Sequence, residues 1–81
     1  MNFTARTAEQ IGEALRRTRK AHGWTQSHIS ARTNLRVATI SSLENGDSGT
    51  KLATVLAVMA ALGLEFRLAE RGGSIEIEDI F

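Results

Sequence analysis

Residues 23–46 read GWTQSHISARTNLRVATISSLENG, and the breakers inside this stretch decide the fold. Gly23 suits the left-handed position that closes a helix, and Trp24 after it is an apolar anchor. Thr25 supplies the hydroxyl of an N-cap, while Asn34 is the residue that, after glycine, best tolerates a left-handed turn. Between these two breakers lies a short helix over 26–33. Leu35 then enters the core, and a second short helix over 36–45 turns Ile40 and Leu43 inward before Gly46 stops it.

Upstream, Thr7-Ala8-Glu9-Gln10 has capping-box spacing, with Thr7 accepting from the backbone and Gln10 reaching back. It opens a helix over 7–22 with Ile11, Leu15 and Thr18 on one stripe and Glu13, Arg16, Arg17 and Lys20 elsewhere. Downstream, residues 46–49 form a loop, Thr50 is the expected N-cap, and Leu52, Val55, Leu56, Met59 and Leu62 share one helical face until Gly63. Ala53, Ala57, Ala60 and Ala61 keep the flank of that helix slim. The period then changes to two: Leu64, Phe66 and Leu68 alternate with Glu65, Arg67 and Ala69, the pattern of one amphipathic strand over 64–70. A lone strand cannot satisfy its own backbone, so it must find another. Gly72-Gly73 is a turn or hinge, which divides the chain into a folded unit, 1–71, and an acidic-apolar tail, 72–81.

Eighty-one residues make one domain, and a domain this small gains stability from a partner or from self-association. The absence of cysteine excludes a disulfide framework and a thiolate metal site, and is neutral to favourable for a reducing cytoplasm. Residues 1–6 carry no apolar signal-peptide core, and the apolar run 52–64 is too short to span a bilayer, so a soluble cytoplasmic protein with no membrane partner is expected. The net charge of +1 hides an asymmetry. Residues 1–51 carry eight basic against four acidic side chains, whereas 52–81 carry two against five. The front of the chain therefore suits a polyanion.

Two helices of this length, joined by a tight turn and set in a basic helical unit, describe a helix-turn-helix. Gly23, Trp24, Thr25, Gln26, Ile29, Ser30, Ile40, Ser41, Glu44 and Gly46 closely resemble the Xre/Cro/C1 helix-turn-helix family. Two departures stand out: Asn34 replaces the turn glycine, and Ser30 replaces the usual alanine where the helices approach. Over about residues 7–70 the chain is also similar to HipB-type antitoxins, in which the strand after the last helix pairs with its copy across a dimer two-fold. The resemblance implies a mainly α, compact four- or five-helix lambda-repressor-like domain with a short C-terminal β-strand pairing across a dimer. It also implies a nucleoid-associated repressor of its own operon that neutralises a HipA-like kinase toxin.

With Leu35, Ile40 and Leu43 inward, the second helix of the motif exposes Arg36, Val37, Ala38, Ser41 and Ser42 to the major groove of double-stranded DNA. Arg36 can donate twice to guanine, Val37 and Ala38 can meet a thymine methyl, and the serines suit base edges or phosphates. Gln26 resembles the family's phosphate clamp at a helix N-terminus, and Thr25, Ser27, Thr39, Asn45, Arg19 and Lys51 are further phosphate candidates. A homodimer on an inverted-repeat operator, with half-sites about 34 Å apart, follows from the small site that one module reads. Leu64, Phe66, Leu68, Met59 and Leu62 are its expected interface, with Leu52 nearby. In the tail, Ile77, Ile80 and Phe81 are the candidate toxin contacts.

Other chemistry is weaker. Gly46-Asp47-Ser48-Gly49 matches a protease nucleophile loop, but no small helical chain builds that double barrel. His22 and His28 lack a triad and a pocket, so they are expected as solvated residues at helix ends, and no catalysis, metal or cofactor is expected. Glu44 is acidic on a DNA-facing helix and is expected in an internal ion pair, with Arg32 or Arg17 as partner, while Trp24 is expected in the core. Two other readings remain: a stand-alone phage-type or metabolic repressor with no toxin, and an interaction module that has lost DNA binding.

Overall fold

The computed structural model describes residues 2–71, which form four helices: α1 (Ala8–Ala21), α2 (Gln26–Thr33), α3 (Val37–Glu44) and α4 (Leu52–Ala61). The tail 72–81, with Ile77, Ile80 and Phe81, lies outside the described residues. α1 packs on α3, and α2 packs on both α3 and α4. Leu15, Ile29, Ile40, Leu43, Val55, Val58, Met59 and Leu62 form one core, with Ile11, Trp24, Leu35 and Leu64 packed against it.

The helix ends follow local chemistry. Thr7 caps α1 through a hydrogen bond from the Gln10 amide at 3.1 Å, and Gln10 reaches back to the Arg6 amide, one residue beyond the expected box. Thr25 caps α2 by accepting from the His28 amide at 3.1 Å. Asn34 adopts the left-handed conformation, with φ 62°, and its amide donates to the Ser30 carbonyl at 2.9 Å. The Ser30 hydroxyl donates to the Leu35 carbonyl. Both departures from the family pattern therefore serve the same turn: Asn34 supplies its backbone conformation and Ser30 ties its far side.

Three expectations need correction. α4 starts at Leu52 with Lys51, not Thr50, in the N-cap position and without a side-chain cap, because Thr50 closes a turn onto Asp47 through its amide at 3.2 Å. The buried stripe of α4 is Val55, Val58 and Met59, continued by Leu62, while Leu52 and Leu56 are 64% and 46% exposed. Val55, Val58, Met59 and Leu62 keep the i, i+3, i+4, i+7 spacing of one face; Leu56 lies off it, and Leu52 is the first residue of the helix. Finally, residues 64–70 form no strand, and no strand pairing exists among the described residues. A single chain offers that segment no second backbone, so its amides and carbonyls stay unpaired by a sheet.

α1 and α3 approach closely at Gly12. A Cβ there would overlap the carbonyl oxygens of Leu43 and Glu44 at the end of α3. Gly46, at φ 86°, closes the same seam, since a Cβ on it would lie 2.8 Å from the Glu9 Cα.

Candidate nucleic-acid interface

α3 is held from behind by Ile40 and Leu43, both buried, so its front is set by helical geometry. Val37, Ala38 and Ser42 are exposed on that front, Ser41 is half-buried among them, and Arg36 stands exposed at the N-cap position. Thr39 is half-buried, and Asn45 is exposed at the C-cap. Of the five expected base-facing residues, four are therefore exposed and Ser41 is half-buried. Thr25 and Ser27 are exposed at the start of α2, and Lys51 is exposed at the start of α4.

Arg19 does not join them. Its side chain is buried between α1 and α3, where Nε donates to Glu44 Oε2 at 2.7 Å and Nη2 to Glu44 Oε1 at 2.9 Å. Nη1 donates to the Trp24 carbonyl at 2.8 Å. This corrects two expectations: Arg19 is a structural residue rather than a phosphate contact, and the partner of Glu44 is Arg19, not Arg32 or Arg17. The reason lies in register, because Arg19 is four residues beyond Leu15 and eight beyond Ile11, on the inward stripe. Hydrogen bonding to Glu44 raises the Arg19 guanidinium above its already high ordinary value, with burial opposing.

Gln26 completes the arrangement by donating from Nε2 to Glu44 Oε1 at 3.1 Å. Residues of α1 and α2 thereby converge on one carboxylate of α3. The Gln26 amide is fixed in orientation beside the exposed Thr25 and Ser27, and its second N–H is spare for an external acceptor. A fixed donor loses less freedom on binding than a mobile one.

Trp24 is half-buried against the core rather than enclosed by it. His22 stacks on its ring at 4.4 Å, His28 at 4.6 Å, and the Arg32 guanidinium lies 5.0 Å from the ring centroid. The two histidines are thus organised by the indole and not merely solvated at helix ends.

Met59 and Leu62, expected at a dimer interface, are 6% and 4% exposed and belong to the chain's own core. The exposed large apolar side chains are Phe3, Val37, Leu52, Leu56, Phe66 and Leu68, of which Leu68 is 99% exposed. Leu64 is half-buried against the core.

A family model described as helix-turn-helix matches residues 15–74. The chain belongs to the helix-turn-helix family. Over 61 residues this helix-turn-helix chain is 33% identical to the proteins named Antitoxin HipB of Escherichia coli K12 and of Escherichia coli O6:H1 strain CFT073. The match spans 75% of this chain, 69% of the K12 protein and 65% of the CFT073 protein, just under two thirds of the latter. Among solved structures, a HipB–O4 20mer complex superposes with a TM-score of 0.83 at 28% identity, covering 88% of this chain and 100% of that one. A HipA–HipB–O2–O3 complex gives 0.81 at 28% identity with the same coverage. No helix among the described residues is long and apolar enough to cross a membrane.

Proposed function

We propose that the chain is a dimeric, sequence-specific DNA-binding repressor and the antitoxin of a HipA-like kinase. α3 lies in the major groove, with Arg36, Val37, Ala38, Ser41 and Ser42 toward base edges. Gln26, Thr25, Ser27, Thr39, Asn45 and Lys51 meet the backbone. The observation that carries this reading is the exposed front of α3 set beside a Gln26 amide already fixed by Glu44. The similar solved structures are a HipB–O4 20mer complex and a HipA–HipB–O2–O3 complex, which supports a nucleic-acid partner and a HipA-like partner.

Two copies read an inverted repeat with half-sites about one helical turn apart. Leu52, Leu56, Phe66 and Leu68 supply the apolar surface for the pairing, and residues 64–70 find in the second copy the backbone partner that one chain lacks. The tail 72–81, through Ile77, Ile80 and Phe81, is the segment offered to the kinase.

Gel shift with DNA from the protein's own promoter, over a salt series, tests the repressor reading, which requires affinity that falls as salt rises. Copurification with the product of the adjacent gene, with and without residues 72–81, tests the antitoxin reading. Specific DNA binding with no kinase recovered by either form would leave a stand-alone repressor.

A further inference from the structure

We propose that His22, Trp24 and His28 form an additional phosphate subsite, which holds the DNA backbone when the imidazoles are protonated. This inference rests on the DNA-binding reading above. Its basis is the cluster of exposed side chains gathered on the half-buried Trp24 ring. Both imidazoles lie nearly parallel to the Trp24 ring, at interplanar angles of 17° and 27°, and Arg32 shares the same indole at 5.0 Å. His22, His28 and Arg32 are exposed, and none of them takes part in an ion pair among the described residues.

An indole face is negative and attracts cations, and the Arg32 guanidinium already lies over it. The charged groups that reach Trp24 are Arg32 over its ring and Arg19 at its carbonyl, Arg19 in turn pairs with Glu44 of α3, and α4 carries no titratable residue. Of these, Glu44 is the one acid, and both its oxygens are engaged by Arg19 and Gln26. Among the described residues, Glu44 therefore has no oxygen left to answer a second positive charge here. A phosphate oxygen supplies the anion.

The cluster is also aimed. The Arg19 guanidinium holds the Trp24 carbonyl at 2.8 Å, and the next residues in the chain are Thr25, Gln26 and Ser27, the candidate backbone contacts. His28 lies on the first turn of α2, and His22 is the C-cap of α1, so both flank the segment that faces a phosphate strand. A phosphate stabilises the protonated imidazole, and binding therefore takes up protons. Affinity rises as pH falls through the range between about 8 and 5 where imidazoles change charge.

The test is titration of the promoter fragment and of a mixed-sequence duplex at about pH 8 and about pH 5.5, each over a salt series, with the wild type, H22Q, H28Q and the double variant. For the wild type, both duplexes should bind about tenfold tighter at the lower pH, the size of one charge-assisted contact. The dependence of log affinity on log salt should steepen there by about 0.9 for each imidazolium engaged. The double variant should match the wild type at the higher pH and lose both effects, with each single variant between. A merely structural histidine would leave the salt slope unchanged. A wild-type profile flat in pH, or one that the double variant retains, overturns the subsite while DNA binding stands. Absence of binding to either duplex at both pH values overturns the repressor reading and the subsite with it.

Discussion

Arg19 and Glu44 stand 25 residues apart in the chain, and their side chains meet in a two-pronged ion pair with N–O distances of 2.7 and 2.9 Å. Both are buried, so the pair joins α1 to the end of α3 out of reach of solvent screening.

Removing one partner leaves the other charged and unanswered. Glu44→Gln or Arg19→Met should each cost on the order of 3–5 kcal/mol in stability, measured by urea denaturation. Such a loss is a large part of the roughly 5–15 kcal/mol that holds a small domain together, so partial unfolding at ambient temperature is the expected outcome. The pH dependence has a defined sign. The folded-state value of Arg19 is raised, so its contribution is complete below its unfolded value and is lost only as pH climbs through strong alkali. Between about pH 5 and 9 the wild type should therefore show no stability change attributable to Arg19.

Asn34 and Ser30 are coupled through one turn. Asn34→Ala should destabilise by roughly 1–2 kcal/mol, the cost of a Cβ-bearing residue without a compensating polar side chain in the left-handed region. Asn34→Gly should be near neutral. Ser30→Ala removes the bond to the Leu35 carbonyl and should cost about 1 kcal/mol. Thermal unfolding of the three variants checks the order.

Gly12→Ala tests the seam between α1 and α3. At an open helical site the change would stabilise by about 1 kcal/mol through helix propensity. Here the added methyl meets the carbonyls of Leu43 and Glu44, and overpacking of about 1–3 kcal/mol should reverse the sign. Because α3 must shift to make room, DNA affinity should fall along with the melting temperature.

Arg36→Ala should weaken promoter binding by about 1–3 kcal/mol and relax the preference at one base pair. Lys51→Ala should instead weaken all sequences alike and lower the salt slope by about 0.9. Competition against a set of single-base operator variants separates the two behaviours.

Leu56→Glu and Leu68→Glu place charge on the exposed apolar surface and should shift the protein toward monomer in sedimentation, with helical content unchanged. Met59→Ala is the contrasting case. Its side chain belongs to the core, so it should cost roughly 2–5 kcal/mol in stability first and change association only as a consequence.

What could be read from the chain was mostly what is local. Thr7, Thr25 and Asn34 act on groups within four residues, so their roles as caps and turn were visible in residue type alone. The face of α4 was harder because LATVLAVMAA is apolar nearly all round, and periodicity cannot choose between Leu56 and Val58 without knowing where α2 lies. Arg19 was misread because its charge was weighed above its register, although its spacing from Leu15 placed it on the buried stripe. Gly12 carried no sequence signal beyond its size, for its role depends on a carbonyl more than thirty residues away. The alternation in 64–70 was legible, but whether it becomes a strand depends on a second backbone and not on this one.

The exposed side chains of α3 take no part in the core, and under the proposed function the core side chains take no part in reading DNA. Arg36, Val37, Ala38 and Ser42 are exposed, while Ile40, Leu43 and Glu44 are buried and fix the helix in place. The domain therefore separates address from chassis. On the reading proposed above, duplicated copies of such a protein can diverge at a few surface positions, acquire distinct DNA targets and stop cross-regulating one another, with no loss of fold along the way.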